Sequence, residues 1–167
     1  MTHSVSAPPR QPVLAFLAVG GVAALIASAA ATSSLALGFL PWAMFVGWVA
    51  WYTRPTSLGQ GVATWLCLFG GLVFGALAVT ALGVLSPSMG TFALSAIVFV
   101  VALTVVSMRN VRLVNNTPAW FLGLIAFFAS HMEPGVISVV ELGATSAIGV
   151  GSGWVSMQLQ QRLARAH

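Results

Sequence analysis

Apolar residues in this chain occur in six long runs that are separated by short polar breaks. The runs cover residues 13–31, 35–53, 59–85, 90–108, 117–130 and 136–158. About 20 helical residues cross a bilayer core, so the run 117–130 spans it only if its polar flanks lie at the interface. The runs lack the two-residue alternation of a barrel strand. The pattern predicts an all-α membrane protein, a six-transmembrane-helix bundle with short connections.

The first run has a second interpretation, because Arg10 and the small residues ASAAATSS give it the outline of a secretory signal peptide. Its length is greater than that of a usual signal core. It is also needed as a partner in the internal repeat described next. We therefore expect it to be retained as a membrane helix.

An internal similarity divides the bundle into two halves. A shift of 76 residues places FVGWVAW (45–51) over FLGLIAF (121–127) and Gly75 over Gly151. Residues 13–85 and 86–161 are the predicted repeats. Residues 1–12, polar and proline-rich, and 162–167 are predicted cytoplasmic tails, the first of them disordered. Three helices per half is an odd number, so the second repeat is inverted, as in many transporters.

Composition supports the membrane class. Hydrophobic residues make up 59% of the chain and charged residues 5%, with a mean hydropathy of +1.00, whereas soluble domains carry about 25% charged residues. The net charge of +4 comes from six arginines and no lysine. They flank alternate connections instead of forming a patch, which argues against nucleic-acid binding. This asymmetry predicts a multi-pass protein with both termini in the cytoplasm.

Two proline-led helix starts, at Pro41 and Pro118, occupy nearly equivalent places in the halves. They are ordinary first turns, where proline is well tolerated, or helices that start inside the membrane and point their N-terminal dipoles at a polar path. Glu141 is flanked by apolar residues in the last run. Because an ionisable group is costly in lipid, we expect it to face the bundle interior or a water-filled cavity. It is a protonatable switch or a neutral packing residue.

The remaining candidates surround this predicted path. His131 and Glu133 lie at the external mouth, where a histidine near a glutamate senses pH or is simply solvated. Two adjacent ligands are too few for a metal site. Trp48 and Trp65 line a narrow pore with Phe45 and Phe121, or pack against lipid and other helices. The complete set of predicted pore or substrate-binding residues is Glu141, Asn116, Thr117, Trp48, Trp65, Phe45, Phe121, Ser130, His131 and Glu133.

The sequence offers no nucleophile–base pair, phosphate loop, zinc motif or carboxylate dyad. We therefore expect neither an enzyme nor a cofactor. Glycine pairs at 71 and 75 and at 149 and 153 suit close helix contact within the bundle or between subunits. They also favour a homo-oligomer.

The segments LALGFLPWAMFVGWVAWYTRP and NNTPAWFLGLIAFFASH, followed by a glycine-rich last helix, resemble a known family. The chain is similar from about residue 13 to 164 to the small bacterial inner-membrane proteins grouped as domain of unknown function 1097. The resemblance implies a multi-helix protein of the bacterial inner membrane and no established activity. Where Pro-Gly is expected in the second motif, this chain has Pro118-Ala119.

The leading functional hypothesis is a channel or facilitator for a small polar or weakly charged solute, with its pore between the second, third, fifth and sixth helices. The alternative is a non-transporting membrane scaffold or partner subunit that binds through its glycine faces. A third option is a proton-coupled transporter that uses Glu141. A continuous polar cavity reaching Glu141 would favour transport, and a dry core would favour the scaffold.

Overall fold

The computed structural model describes residues 13–54 and 57–165, and this part of the chain is all-α, as predicted. The predicted tail 1–12 lies outside the described residues. The helices are α1 (Val13–Ala36), α2 (Pro41–Trp51), α3 (Leu58–Met89), α4 (Phe92–Ser107), α5 (Thr117–Ser130) and α6 (Val136–Arg165), with a 3-10 helix (Met108–Asn110) after α4.

Four helices are long and apolar enough to cross a bilayer, which supports a membrane protein. They comprise Phe16–Ala36, Leu58–Met89, Phe92–Asn110 and Val136–Leu163. α2 has 11 residues and α5 has 14. At 1.5 Å per residue these two helices measure about 16 and 21 Å, less than the ~30 Å of a hydrocarbon core. The bundle therefore combines four long helices with two short ones.

The predicted break at 32–34 is wrong, because α1 continues through it to Ala36. The hydroxyls of Thr32 and Ser33 donate to the carbonyls of Ser28 and Ala29, four residues earlier, so these polar side chains are satisfied within the helix. The helix ends at Ala36, and Gly38 in the turn that follows has a φ of 77°, in the left-handed region. The second apolar run is therefore shared between α1 and α2, and α2 begins at Pro41.

Two other predicted boundaries lie inside helices. The polar stretch 86–89 is the last turn of α3, so the helix crosses the predicted repeat boundary after residue 85 and ends before Gly90. The Ser86 hydroxyl donates to the Leu82 carbonyl at 2.6 Å, within that helix. The predicted tail 162–167 also starts inside a helix, because α6 continues to Arg165.

The most extensive packing occurs between α2 and α6 and between α3 and α5. α1 packs against α6 and α2, while α4 packs against α3 and α5. The contact of α3 with α6 is as extensive as that of α3 with α4, and a smaller contact joins α2 to α5 at the centre. The largest fully buried side chains are Phe127, Met44, Leu68, Leu72 and Leu142. They belong to α2, α3, α5 and α6, so these four helices form the core and α1 and α4 flank it.

Candidate functional site

α3 and α6 run antiparallel and meet near the centre of the bundle. The indole Nε1 of Trp65 donates to the Gly143 carbonyl at 3.1 Å. Residues 58–65 of α3 share one cleft with residues 147–154 of α6, whereas residues 69–80 share another with residues 134–140. The start of each long helix therefore lies beside a later part of the other.

α2 crosses α6 at glycine, with backbone against backbone. A Cβ at Gly47 would overlap the carbonyl oxygen of Ser146, and one at Gly149 would overlap the carbonyl oxygen of Met44. Only glycine permits this approach. The crossing begins three residues beyond Gly143 along α6.

α5 crosses α3 in the same manner. A Cβ at Gly123 would overlap the carbonyl oxygen of Leu68, and one at Gly71 would overlap that of Trp120. This crossing begins three residues beyond Trp65 along α3. Since α3 and α6 are antiparallel, the two crossings lie on opposite sides of their contact. The two short helices are therefore antiparallel, and each crosses its long neighbour on its own side of the α3–α6 contact.

A polar cluster, which is buried at Thr64 and Asn116, surrounds the start of α5. The side chain of Asn116 is 3% exposed. Its Nδ2 donates to Thr53 Oγ1 at 2.7 Å and to Thr64 Oγ1 at 3.1 Å, and its Oδ1 accepts from the Ala119 amide at 3.4 Å. The residue therefore caps α5 and joins it to the end of α2 and to α3. We call Thr53, Arg54, Thr64, Asn115 and Asn116 the Asn116 cluster.

The cluster faces one end of the bundle, which we call the arginine end. Arg54 donates to the side-chain carbonyl of Asn115, which places the α2–α3 and α4–α5 connections together. Residues 147–154 of α6 lie beside the start of α3, so Arg162 and Arg165 at the end of α6 point the same way. The positive side chains of the described residues therefore gather at this end, whereas His131 and Glu133 lie beyond the opposite end of α5.

Glu141 is partly exposed and does not reach the Asn116 cluster. It lies two residues before Gly143, which places it close to the level of the α3–α6 contact. Its backbone carbonyl accepts from the Thr145 hydroxyl at 2.7 Å. A carboxylate at the middle of a membrane helix costs about 2.5–3.5 kcal/mol on insertion scales. The half-exposed position therefore calls for water or a polar partner near Glu141.

The predicted external mouth forms the end of α5 and the start of α6. His131 is exposed and adopts a left-handed conformation with φ of 52° at the C-cap of α5. The Ser130 hydroxyl donates to the Phe127 carbonyl at 2.7 Å, and the Glu133 carbonyl accepts from Ser138 Oγ at 2.7 Å. Within residues 13–54 and 57–165 no three His, Cys, Asp or Glu side chains gather as a metal site would require.

The predicted aromatic residues do not come together. Phe45 and Phe121 are 42% and 37% exposed, on the outer sides of α2 and α5. Trp48 is half-buried against Tyr52, and Trp65 is half-buried at the α3–α6 contact. Thr117 is half-buried in the first turn of α5. Their roles in a pore stay predictions.

The clefts of the bundle are apolar. Four of them are lined almost entirely by aliphatic and aromatic side chains, and neither Glu141 nor Asn116 lines any of these four. No continuous polar path reaches Glu141 through them. These four clefts therefore do not connect Glu141 with the Asn116 cluster.

Sequence reasoning missed Thr53 and Thr64 and treated Arg54 as a topology anchor. Their signal was present, since the arginine pattern places the end of the second helix and the start of the fifth on the same side. The arginine pattern does not predict how deep in the bundle α5 starts. Its start lies beside Thr64, six residues into α3. That position depends on the close α3–α5 crossing.

Fold and composition together define an all-α membrane protein with four long apolar helices. Within that class the chain belongs to the family described as Protein of unknown function (DUF1097), whose model matches residues 10–161. This match confirms the resemblance seen in the two proline-led segments. A search of curated proteins gave no significant match. A search of solved structures also gave none. Function therefore has to be argued from the geometry.

Proposed function

We propose that the protein is a channel or facilitator for a small polar or weakly charged solute in the bacterial inner membrane. The observation that carries the proposal is the pair of short antiparallel helices, α2 and α5, which lie in the core and cross their long neighbours on opposite sides of the α3–α6 contact. Short helices of this kind direct their N-terminal dipoles at solutes in many transporters. The path would run between α2, α3, α5 and α6.

Matching glycine crossings support two inverted repeats within this protein. Gly47 and Gly123, which meet a carbonyl in each crossing, are 76 residues apart, and the carbonyls that they meet, of Ser146 and Leu68, are 78 residues apart. The second contact of each crossing follows the same two shifts. Met44 and Trp120 are 76 residues apart, and the glycines that meet them, Gly149 and Gly71, are 78 residues apart. Related crossings on opposite sides of the α3–α6 contact are what a two-fold axis in the membrane plane would produce.

The packing of whole helices supports the same relationship. When α1, α2 and α3 are exchanged with α4, α5 and α6, α2–α6 packing becomes α5–α3 packing, and α1–α6 becomes α4–α3. The contacts α3–α6 and α2–α5 map onto themselves and would lie on the axis. In this arrangement all six helices enter the membrane, and α2 and α5 cover only part of its thickness. The arginine end would face the cytoplasm.

The Asn116 cluster would supply the polar wall of the path. Its amide and hydroxyl groups can exchange hydrogen bonds with a neutral solute when the bundle opens, at a cost far below that of burying an unpartnered polar group. Glu141 lies near the same central level on α6 and would make a second polar position. Proton-coupled movement through Glu141 is the narrower version of this proposal.

A non-transporting subunit is the second candidate, and the apolar clefts favour it. Against it, the glycine faces that would bind a partner are occupied inside the bundle, where Gly71 and Gly149 contact Trp120 and Met44. A partner would have to use another surface. A homo-oligomer stays open as an expectation under both candidates.

Purified protein in liposomes separates these candidates. Uptake of urea-like solutes, small acids and ions is measured for the wild type, for Glu141→Gln and for empty vesicles. The proposal expects faster uptake of at least one small solute by the wild type. A change with Glu141→Gln that depends on an imposed pH gradient would favour proton coupling. Empty-vesicle rates for every solute, with no effect of Glu141→Gln, would exclude transport of this panel and leave the subunit.

A further inference from the structure

The helices pack as two bodies that do not coincide with the two halves of the sequence. α1, α2 and α6 contact one another, and we call them body A; α3, α4 and α5 contact one another and form body B. The contacts between the bodies are less extensive than the α2–α6 and α3–α5 crossings inside them. Each body thus holds two helices from one sequence half and one helix from the other.

The chain passes between the bodies twice, between Trp51 and Leu58 and between Ser130 and Val136. Both connections are short and are irregular where they are described. The glycine crossings lie inside the bodies, where backbones interlock. Interlocked backbones make each body stiff, and short connections allow one body to turn against the other.

The seam between the bodies contains part of the apolar core, with Gly61 of body B against the ring of Trp51 of body A, and polar side chains add specific contacts to it. Thr53, whose amide and hydroxyl both bond to the Ala50 carbonyl at the end of α2, accepts from Asn116 of body B. Arg54, next in the chain, donates to Asn115. Near the centre, Trp65 of body B donates to Gly143 of body A. Three of the four side-chain hydrogen bonds between residues more than 50 apart therefore cross this seam.

We propose that the two bodies rock against each other as rigid units, and that Thr53–Asn116 and Arg54–Asn115 form a latch that closes the arginine end. The proposal rests on the proposed facilitator and gives it a mechanism. The described conformation is the latched one, which explains why its clefts are apolar and do not reach the buried polar groups. Opening would break these hydrogen bonds and part of the apolar packing across the seam, while the backbone crossings at Gly47, Gly149 and Gly123 stay intact inside the bodies.

Among residues 13–54 and 57–165, the opposite end has no equivalent of this latch. The 76-residue shift maps Asn115 and Asn116 onto Phe39 and Leu40. Both of these residues are apolar and partly buried, so they cannot form the amide hydrogen bonds of the arginine end. The two ends of an otherwise related arrangement therefore differ in how they close. Movement should begin from a state that is held shut at the arginine end.

Two matched substitutions test the latch. Thr53→Val and Thr64→Val each remove one hydroxyl that accepts from Asn116 Nδ2, at 2.7 and 3.1 Å, but only Thr53 crosses the seam. Spin labels are placed at Leu159 of body A and Leu113 of body B, which are 40% and 59% exposed. The background carries Cys67→Ala, and the distance between labels is measured in lipid nanodiscs.

Thr53→Val should raise the population with the longer distance, relative to that with the shorter distance, roughly fivefold, as the loss of one hydrogen bond implies, and Thr64→Val should leave this population ratio near the wild-type value. Arg54→Leu should act like Thr53→Val and replaces it if that variant does not fold. Identical distances in all folded variants would overturn the two-body proposal. A shift in distance without any solute uptake would keep the two bodies and reject the facilitator. Uptake without a shift in distance would keep the facilitator and reject the rocking of the two bodies.

Discussion

Asn116 and Thr53 are 63 residues apart in sequence, yet their side chains lie 2.7 Å apart, from Nδ2 to Oγ1. The bond joins the start of one short helix to the end of the other. It depends on the α3–α5 crossing, which brings Asn116 beside Thr64. A single buried amide therefore reports on the packing of α2, α3 and α5 together.

Replacing Asn116 with Ala should destabilise the protein by about 1–3 kcal/mol. The change removes a helix cap and leaves the half-buried hydroxyl of Thr53 and the buried hydroxyl of Thr64 without their donor. Asn110→Ala is the matched control, because Asn110 is exposed in the 3-10 helix and should change stability by less than about 0.5 kcal/mol. Unfolding in detergent micelles measures both. Equal stability of the two variants would remove the structural role of the cluster.

Gly149→Ala should be far more damaging than Gly151→Ala on the same helix. A Cβ at Gly149 would overlap the Met44 carbonyl, whereas nothing lies within 4 Å of a Cβ at Gly151. Overpacking against a backbone costs about 1–3 kcal/mol or more, and the exposed position should gain up to ~1 kcal/mol from alanine in a helix. Thermal unfolding of the purified variants checks the order, and the reverse order would mean that α2 and α6 do not cross there.

Cys67 should resist thiol reagents in the folded protein. It is the only cysteine in the chain and is fully buried. Modification by a small maleimide then requires local opening. Asn116→Ala should raise the labelling rate several-fold, while Asn110→Ala should not. Rapid labelling of the folded wild type would show that the core around α3 is open.

Residues Leu113 and His131 should be labelled from opposite sides of the membrane. Both are exposed, at the two ends of α5. With Cys67→Ala as background, Leu113→Cys should react with an impermeant maleimide only in inside-out vesicles, and His131→Cys only in right-side-out vesicles or intact cells. Labelling of both from one side would contradict the proposed crossing of α5.

The helix number and class followed from the sequence because long apolar runs leave few alternatives in lipid. The boundaries did not, because serine and threonine look like breaks in sequence but bond to their own helix at Thr32, Ser33 and Ser86. The short length of α2 could be predicted only in part from the sequence. Pro41 marks its start, but the preceding Leu37 and Leu40 are apolar residues of a turn.

The alignment between the two proposed repeats was also only partly predictable from the sequence. Sequence alignment placed Gly75 over Gly151, whereas the contacts relate Gly75, which meets Phe127, to Gly153, which meets Trp51. One ungapped shift fits the short helices and misses the long ones by two residues. The candidate site was predictable at Asn116 because a polar residue beside a proline-led helix start has few other uses. Thr64 was not, since a hydroxyl within a helix bonds to its own backbone as readily as to a partner.

Solute flux through the seam between the two bodies is the central claim, and its most direct measurement is the rate of uptake into liposomes. Wild type, Asn116→Ala and Asn110→Ala are reconstituted at equal density, and urea-like solutes and small acids are compared with empty vesicles. The account predicts that the wild type and Asn110→Ala accelerate at least one solute equally, and that Asn116→Ala changes that rate by about fivefold or more, as the loss of its hydrogen bonds implies. Folded wild-type protein that leaves every rate at the empty-vesicle value would contradict the account.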